Sequence, residues 1–203
     1  MTMDELFTKL SSPEFQDTEN SDIYYNYYLF QYDADKENEI EAELAEFKDK
    51  LRRPTQYIDV LSLDLFEEFC NYLDTISFGP SGSYLQYLLE QDKDSSKSDV
   101  VTSILSDEAN KAGFYQYIHK RIIEHLDKDG DGMHRPYIFF YGIGKIYPYL
   151  RTNVLLTNYE RYNETSRYKI IIFYPGRQSN NSYSLFGCLT DAHAYRATLL
   201  INA

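Results

Sequence analysis

The sequence of 203 residues has no tryptophan and only two cysteines, three methionines and six prolines. Cys70 and Cys188 each lie inside an apolar pattern, which predicts no disulfide framework and is typical of a protein from a reducing cytoplasm. No apolar run reaches the roughly 18 residues of a membrane span. Residues 1–6 lack the basic and apolar regions of a signal peptide. These absences favour a cytoplasmic chain over a secreted or membrane-spanning one.

Positive charge is also scarce, with 20 Lys and Arg against 32 Asp and Glu and a formal net charge of −12. Residues from 151 onward hold six bases and three acids, a net +3, which leaves −15 for the first 150 residues. Such a balance disfavours a phosphate-binding surface, so direct nucleic-acid binding is not expected. The preferred interpretation of the acidic part is a solvated surface. The alternative is that its electrostatic field orients a charged partner.

Aromatic residues are abundant, with 21 Tyr and 12 Phe, and 43% of the chain is hydrophobic. This composition is typical of a globular protein with an aromatic core. Apolar and β-branched runs predict strands at 23–32, 57–63, 137–141, 168–174, 183–189 and 195–201. Helical periodicity predicts helices at 6–10, 40–51, 65–76, 107–126 and 148–159.

This alternation predicts a single three-layer α/β domain over residues 1–203 with a mainly parallel sheet. The domain is expected to be Rossmann-like or P-loop-like without a functional P-loop. Short connections predict that the last two strands close the sheet in antiparallel orientation. The pair Pro175-Gly176 is expected to end the fourth strand in a turn, which a valine at position 176 should damage if the turn needs a positive φ.

Gly142-Ile-Gly-Lys145 follows the third predicted strand, where α/β proteins often bind phosphates. A Walker loop needs a glycine in place of Phe139 and a hydroxyl in place of Ile146, so nucleotide hydrolysis is not expected. Gly142 and Gly144 are interpreted as a tight strand-to-helix turn. A degenerate nucleotide- or anion-binding site that uses Lys145 and Arg151 remains the alternative function.

Other candidate motifs fail on spacing. Residues 127–132 begin like a calcium loop, but the required carboxylate at position 12 is Ile138. The four histidines at 119, 125, 134 and 193 have no zinc-helix spacing. Asp33 and Asp64 each follow a strand and are interpreted as helix caps, with an acid–base pair as the weaker alternative. The sequence therefore predicts no catalytic residue, metal or cofactor, and no enzyme.

The most distinctive stretch lies near the carboxy terminus: YKIIIFYPG at 168–176, NNSYSLF at 180–186 and YRA at 195–197. Upstream, FFYGIG at 139–144 is followed by YPYLR at 147–151. This order of motifs resembles the BrxB family of bacteriophage-exclusion (BREX) defence systems. The resemblance spans most of the chain and is distinctive mainly over 137–201.

The resemblance implies a small cytoplasmic bacterial protein whose companions include a large ATPase, a PglZ-type phosphatase-like protein and a DNA methyltransferase. Members of the family are required parts of these systems without an established enzymatic activity. The chain is therefore expected to be a non-catalytic assembly component that contacts the ATPase and the phosphatase-like protein. From position in the chain, the binding surface is predicted to consist of Gly142, Gly144, Lys145, Arg151, Pro175, Gly176, Arg177, Asn181 and Tyr183.

Overall fold

The computed structural model describes residues 2–16, 27–53, 58–128, 136–164, 167–179, 182–191 and 198–199. Within these ranges the strands, numbered in chain order, are β1 (Tyr27–Tyr32), β2 (Val60–Asp64), β3 (Tyr137–Tyr141), β4 (Lys169–Ser179), β5 (Ser182–Leu185), β6 (Leu189–Asp191) and β7 (Thr198–Leu199). The helices are α1 (Met3–Leu10), α2 (Pro13–Gln16), α3 (Glu37–Arg52), α4 (Leu65–Thr75), α5 (Tyr84–Asp92), α6 (Ser98–Asn110), α7 (Ala112–Leu126), α8 (Ile143–Ile146) and α9 (Thr152–Tyr159).

Five strands form a parallel sheet in the order β2–β3–β4–β1–β7. The strand β5 pairs antiparallel with the far end of β4, and β6 pairs antiparallel with β5. The predicted α/β class with a mainly parallel sheet is confirmed. Because parallel strands need crossover connections, the helices must cover the sheet between one strand and the next.

The helices form two layers, one on each face of the sheet. Tyr28 and Phe30 of β1 pack with α1, α2 and α3 in one buried cluster. Tyr27 and Leu29 belong to a second buried cluster, which contains side chains of α4 to α9. Successive strand residues point to opposite faces, so the near-continuous apolar runs of the central strands are buried on both sides.

The predicted helix at 107–126 is two helices, since Lys111 has an extended backbone with ψ 153° between α6 and α7. The first of the two, α6, begins already at Ser98. The prediction of one long helix was wrong because apolar residues recur at helical spacing on both sides of Lys111, so the periodicity does not reveal the break.

The carboxy-terminal strands also differ from the prediction. Pro175 and Gly176 do not form a closing turn, because β4 continues through them to Ser179. The predicted strand at 183–189 is divided into β5 and β6 by a turn at residues 186–188. β7 runs parallel to β1, so the expected antiparallel orientation of the last strand was wrong. Much of the predicted strand 195–201 lies outside the described residues.

Candidate functional site

The carboxyl ends of β2 and β3 lie side by side, which brings the residues that follow them to one edge of the sheet. Asp64 ends β2 and caps α4, because its Oδ1 accepts hydrogen bonds from the backbone N–H groups of Phe66 (3.0 Å) and Glu67 (3.1 Å). The capping interpretation of Asp64 is confirmed. For Asp33 it was wrong, since that exposed side chain makes no capping hydrogen bond.

Lys145 lies at this edge and is neutralised by carboxylates from two other elements. Its Nζ lies 2.6 Å from Oε2 of Glu41 and 3.0 Å from Oδ2 of Asp64. Burial opposes the charged form, but the hydrogen bonds that Lys145 donates to Glu41 and Asp64 outweigh it and raise the pKa of Lys145 above its usual value. A charge held in this way is poorly placed to attract a phosphate.

The two glycines of the turn make room for carboxylates. Gly142 has φ +71°, and a Cβ there would lie 2.5 Å from Oδ1 of Asp64. A Cβ at Gly144 would lie 2.8 Å from both carboxylate oxygens of Glu37. The interpretation of a tight strand-to-helix turn is confirmed, and the glycines are needed for its packing as well as its backbone conformation.

Glu37 gives the cluster an excess of negative charge, since three carboxylates (Glu37, Glu41 and Asp64) meet one lysine. Burial first and Glu41 second raise the pKa of Glu37, against a hydrogen bond from the Gly144 N–H and the charge of Lys145. Oε1 of Glu37 and Oε1 of Glu41 are both buried without a hydrogen-bond partner among the described residues. Unsatisfied buried oxygens cost stability, so this edge is strained electrostatically.

Replacing Glu37 with glutamine should raise the melting temperature at pH 8 by a few degrees. A carboxyl whose pKa is raised in the folded state contributes stability below its unfolded pKa, and that contribution is lost as pH rises through the folded pKa. The stabilisation should therefore shrink as pH falls from 8 to 4. Thermal unfolding across this range measures it, with Glu39→Gln on the same helix as control. An equal effect of both substitutions would contradict the prediction.

The second predicted patch lies on the β4–β5 hairpin. Pro175 pairs with Tyr32 of β1, Gly176 pairs with Leu185, and Arg177 pairs with Ser184. Tyr183 pairs with both Gln178 and Asp191. Asn181 lies outside the described residues.

Gly176 is required for close strand approach. A Cβ there would overlap the Ser184 carbonyl oxygen on β5. Its φ does not lie in the left-handed region, so the condition of a positive φ is not met. The glycine therefore serves the β4–β5 pairing rather than a turn.

Phe186 joins the hairpin to the Gly142–Lys145 turn. Its Cε1 lies 2.9 Å from the position that a Cβ of Gly144 would take, and its ring lies edge-on to Tyr147 at 6.4 Å. Arg151 is exposed at the start of α9. The structure thus brings the two predicted patches together, while their role in binding stays a prediction.

Sequence reasoning missed Glu37 and Glu41, the residues that give this edge its chemistry. Their spacing of four residues at the start of α3 places both on one helix face. That helix is the first α-helix after a strand, and this position was the signal from which the two glutamates could have been identified as site residues. Among the described residues, no group of His, Cys, Asp and Glu is placed to hold a metal ion. No helix in the described part of the chain is long and apolar enough to cross a membrane.

Fold and site together define a parallel α/β domain whose sheet edge carries an ion-pair cluster at the position where many α/β proteins place a phosphate-binding loop. The family model BrxB, described as BREX protein BrxB, matches residues 61–200. The chain belongs to the BrxB family.

The chain is also similar to the BREX protein BrxB of Bacillus cereus (strain H3081.97). The two are 21% identical over 203 residues, which cover 98% of this chain and 96% of that protein. No solved structure matches the chain. Family membership supports a role as a component of a BREX anti-phage defence system, and the resemblance drawn from the sequence is confirmed.

Proposed function

We propose that this chain is a non-catalytic assembly component of a BREX system, which acts through contacts with the phosphatase-like protein and the ATPase of that system. The supporting observation is the state of Lys145, whose Nζ is held by Glu41 and Asp64 at 2.6 and 3.0 Å. In α/β enzymes the carboxyl edge of the sheet holds the substrate. Here that edge is occupied by the protein's own ion pairs.

The alternative, a nucleotide- or anion-binding module at Gly142–Lys145, finds less support in these contacts. A phosphate would meet the carboxylates of Glu37, Glu41 and Asp64 beside the one lysine of the cluster. The negative charges of these carboxylates would repel the phosphate. The contacts made by Lys145 therefore favour the assembly role over a degenerate phosphate site.

The assembly role is tested by affinity capture of the tagged protein from its native host, followed by mass spectrometry. Stoichiometric recovery of the phosphatase-like protein or the ATPase is the expected result. A tagged Gly176→Val variant, which should lose the β4–β5 pairing, is the control for contacts that need the folded chain. Recovery of the tagged protein alone, in buffers that preserve other complexes of the host, would overturn the proposal.

Calorimetric titration of the purified protein with ATP should give no saturable heat. Lys145→Ala should behave the same, because the lysine is engaged by carboxylates rather than open to a ligand. Saturable binding that disappears in Lys145→Ala would contradict this prediction and favour the phosphate site. Titration with duplex DNA across salt concentrations should likewise show no steep salt dependence of binding.

A further inference from the structure

A groove of about 830 Å³ lies between α1, α3 and the carboxyl end of β1. Its apolar part is formed by Phe7, Ile40 and Phe47. Five carboxylates line it against two lysines, a net charge of −3 for the lining: Asp4, Asp33, Glu39, Glu43 and Glu46 against Lys36 and Lys50. The groove therefore combines apolar and aromatic surface with a strong excess of negative charge.

Tyr32 lines the part of this groove nearest the sheet. The residue is only 7% exposed, yet its hydroxyl is buried without a hydrogen-bond partner among the described residues. Burial first, and then the charges of Glu37 and Glu41, raise the pKa of Tyr32, so its hydroxyl stays protonated. The part of Tyr32 that is accessible from the groove does not include the hydroxyl oxygen.

A guanidinium fits these surroundings better than an ammonium. It carries five donors in a planar fork, pairs with carboxylates in bidentate fashion and stacks on aromatic rings. Phe7, Phe47 and Tyr32 supply rings, and the glutamates of α3 supply carboxylates. An anionic or apolar partner would leave the charge of the lining uncompensated.

We propose that this acidic groove is a docking site for an arginine-bearing basic segment of a partner protein. The inference rests on the proposed assembly role and names the surface and the partner chemistry that would serve it. It differs from the surface predicted from the sequence, with which it shares only Gly176.

The first test is fluorescence anisotropy with a labelled peptide that alternates arginine and serine. The wild-type chain should bind it saturably and more tightly than the matching lysine–serine peptide. The pair Glu39→Gln and Glu43→Gln should weaken binding by about tenfold or more. The control pair Glu90→Gln and Asp92→Asn removes the same charge from exposed positions of α5 and should leave binding within about twofold.

Tyr32→Phe is a control within the groove that leaves its charge unchanged. Since the hydroxyl makes no hydrogen bond to a described residue, its removal should leave the melting temperature unchanged or slightly higher. Affinity for the arginine peptide should stay within about twofold of the wild type, because the hydroxyl oxygen is buried and the charge of the groove is unchanged. Equal weakening by the α3 and α5 pairs would overturn the proposal in favour of non-specific attraction to an acidic chain.

Affinity capture with the α3 pair distinguishes this inference from the assembly role. If the wild type recovers its partner and the α3 pair loses it while the α5 pair retains it, the groove is supported as the contact. If all three recover the partner, the groove proposal fails and the assembly role stands. If the wild type itself recovers neither the phosphatase-like protein nor the ATPase, both proposals fail.

Discussion

Replacing Gly176 with valine is expected to destabilise the protein by about 3 kcal/mol or more, measured as the free energy of unfolding in urea. A Cβ at this position overlaps the Ser184 carbonyl oxygen and would come within 2.7 Å of Cε1 of Tyr174. Because β5 is bonded to β4 across this contact, the two strands must separate to admit any side chain. Tyr174 is fully buried and offers no room either.

Gly187→Ala is the matched control. Gly187 has φ +73°, with open space around its missing Cβ, so alanine should cost only about 1 kcal/mol through backbone strain. If Gly176→Val proves too unstable to purify, Gly176→Ala meets the same oxygen with a single methyl and can take its place. Equal losses at positions 176 and 187 would show that close approach of the strands does not explain Gly176.

Lys145→Ala is expected to lower the free energy of unfolding by about 2 kcal/mol. The value lies between that of an exposed ion pair and that of a fully buried one, because Lys145 is 41% exposed while Asp64 is only 9% exposed. Removal of the lysine leaves three neighbouring carboxylates without a cation. The melting temperature should fall by about 4–8 °C in thermal unfolding at pH 7.

Lys120→Ala controls for loss of a lysine as such. Lys120 pairs with Glu124 at 3.7 Å, with side chains 75% and 49% exposed, and the substitution should cost less than about 0.5 kcal/mol. Adding Glu37→Gln to Lys145→Ala should restore part of the lost stability, since one of the three carboxylates left without a cation is then replaced by a neutral amide. Losses of similar size at positions 145 and 120 would contradict the ion-pair cluster as described.

The central strands could be predicted from the sequence because burial on both faces requires an unbroken apolar run. Residues 137–141 have that pattern, and β3 matches it residue for residue. The ending of β4 could not be predicted in the same way. Pro175-Gly176 has the composition of a turn. The chain stays extended there because Pro175 pairs with Tyr32 on one side and Gly176 pairs with Leu185 on the other. Tertiary pairing overrode local preference there.

The position of the candidate site was predicted, but its chemistry was not. Gly142 and Lys145 follow a strand, and the edge of a parallel sheet is where such residues gather. The sign of the surrounding charge depends on Glu41 and Asp64, which lie 104 and 81 residues from Lys145 in the chain. Periodicity and local motifs contain no information on contacts at that separation.

The position of β1 between β4 and β7 has a consequence for folding during synthesis. Residues 27–32 are synthesised well before the strands that flank them, which begin at residues 169 and 198. A nascent chain therefore carries the apolar strand YYLFQY without these sheet partners until residues 169–199 have been synthesised. Such late closure gives a high contact order and slow folding, and it makes the incomplete chain a natural client of chaperones that shield exposed apolar strands.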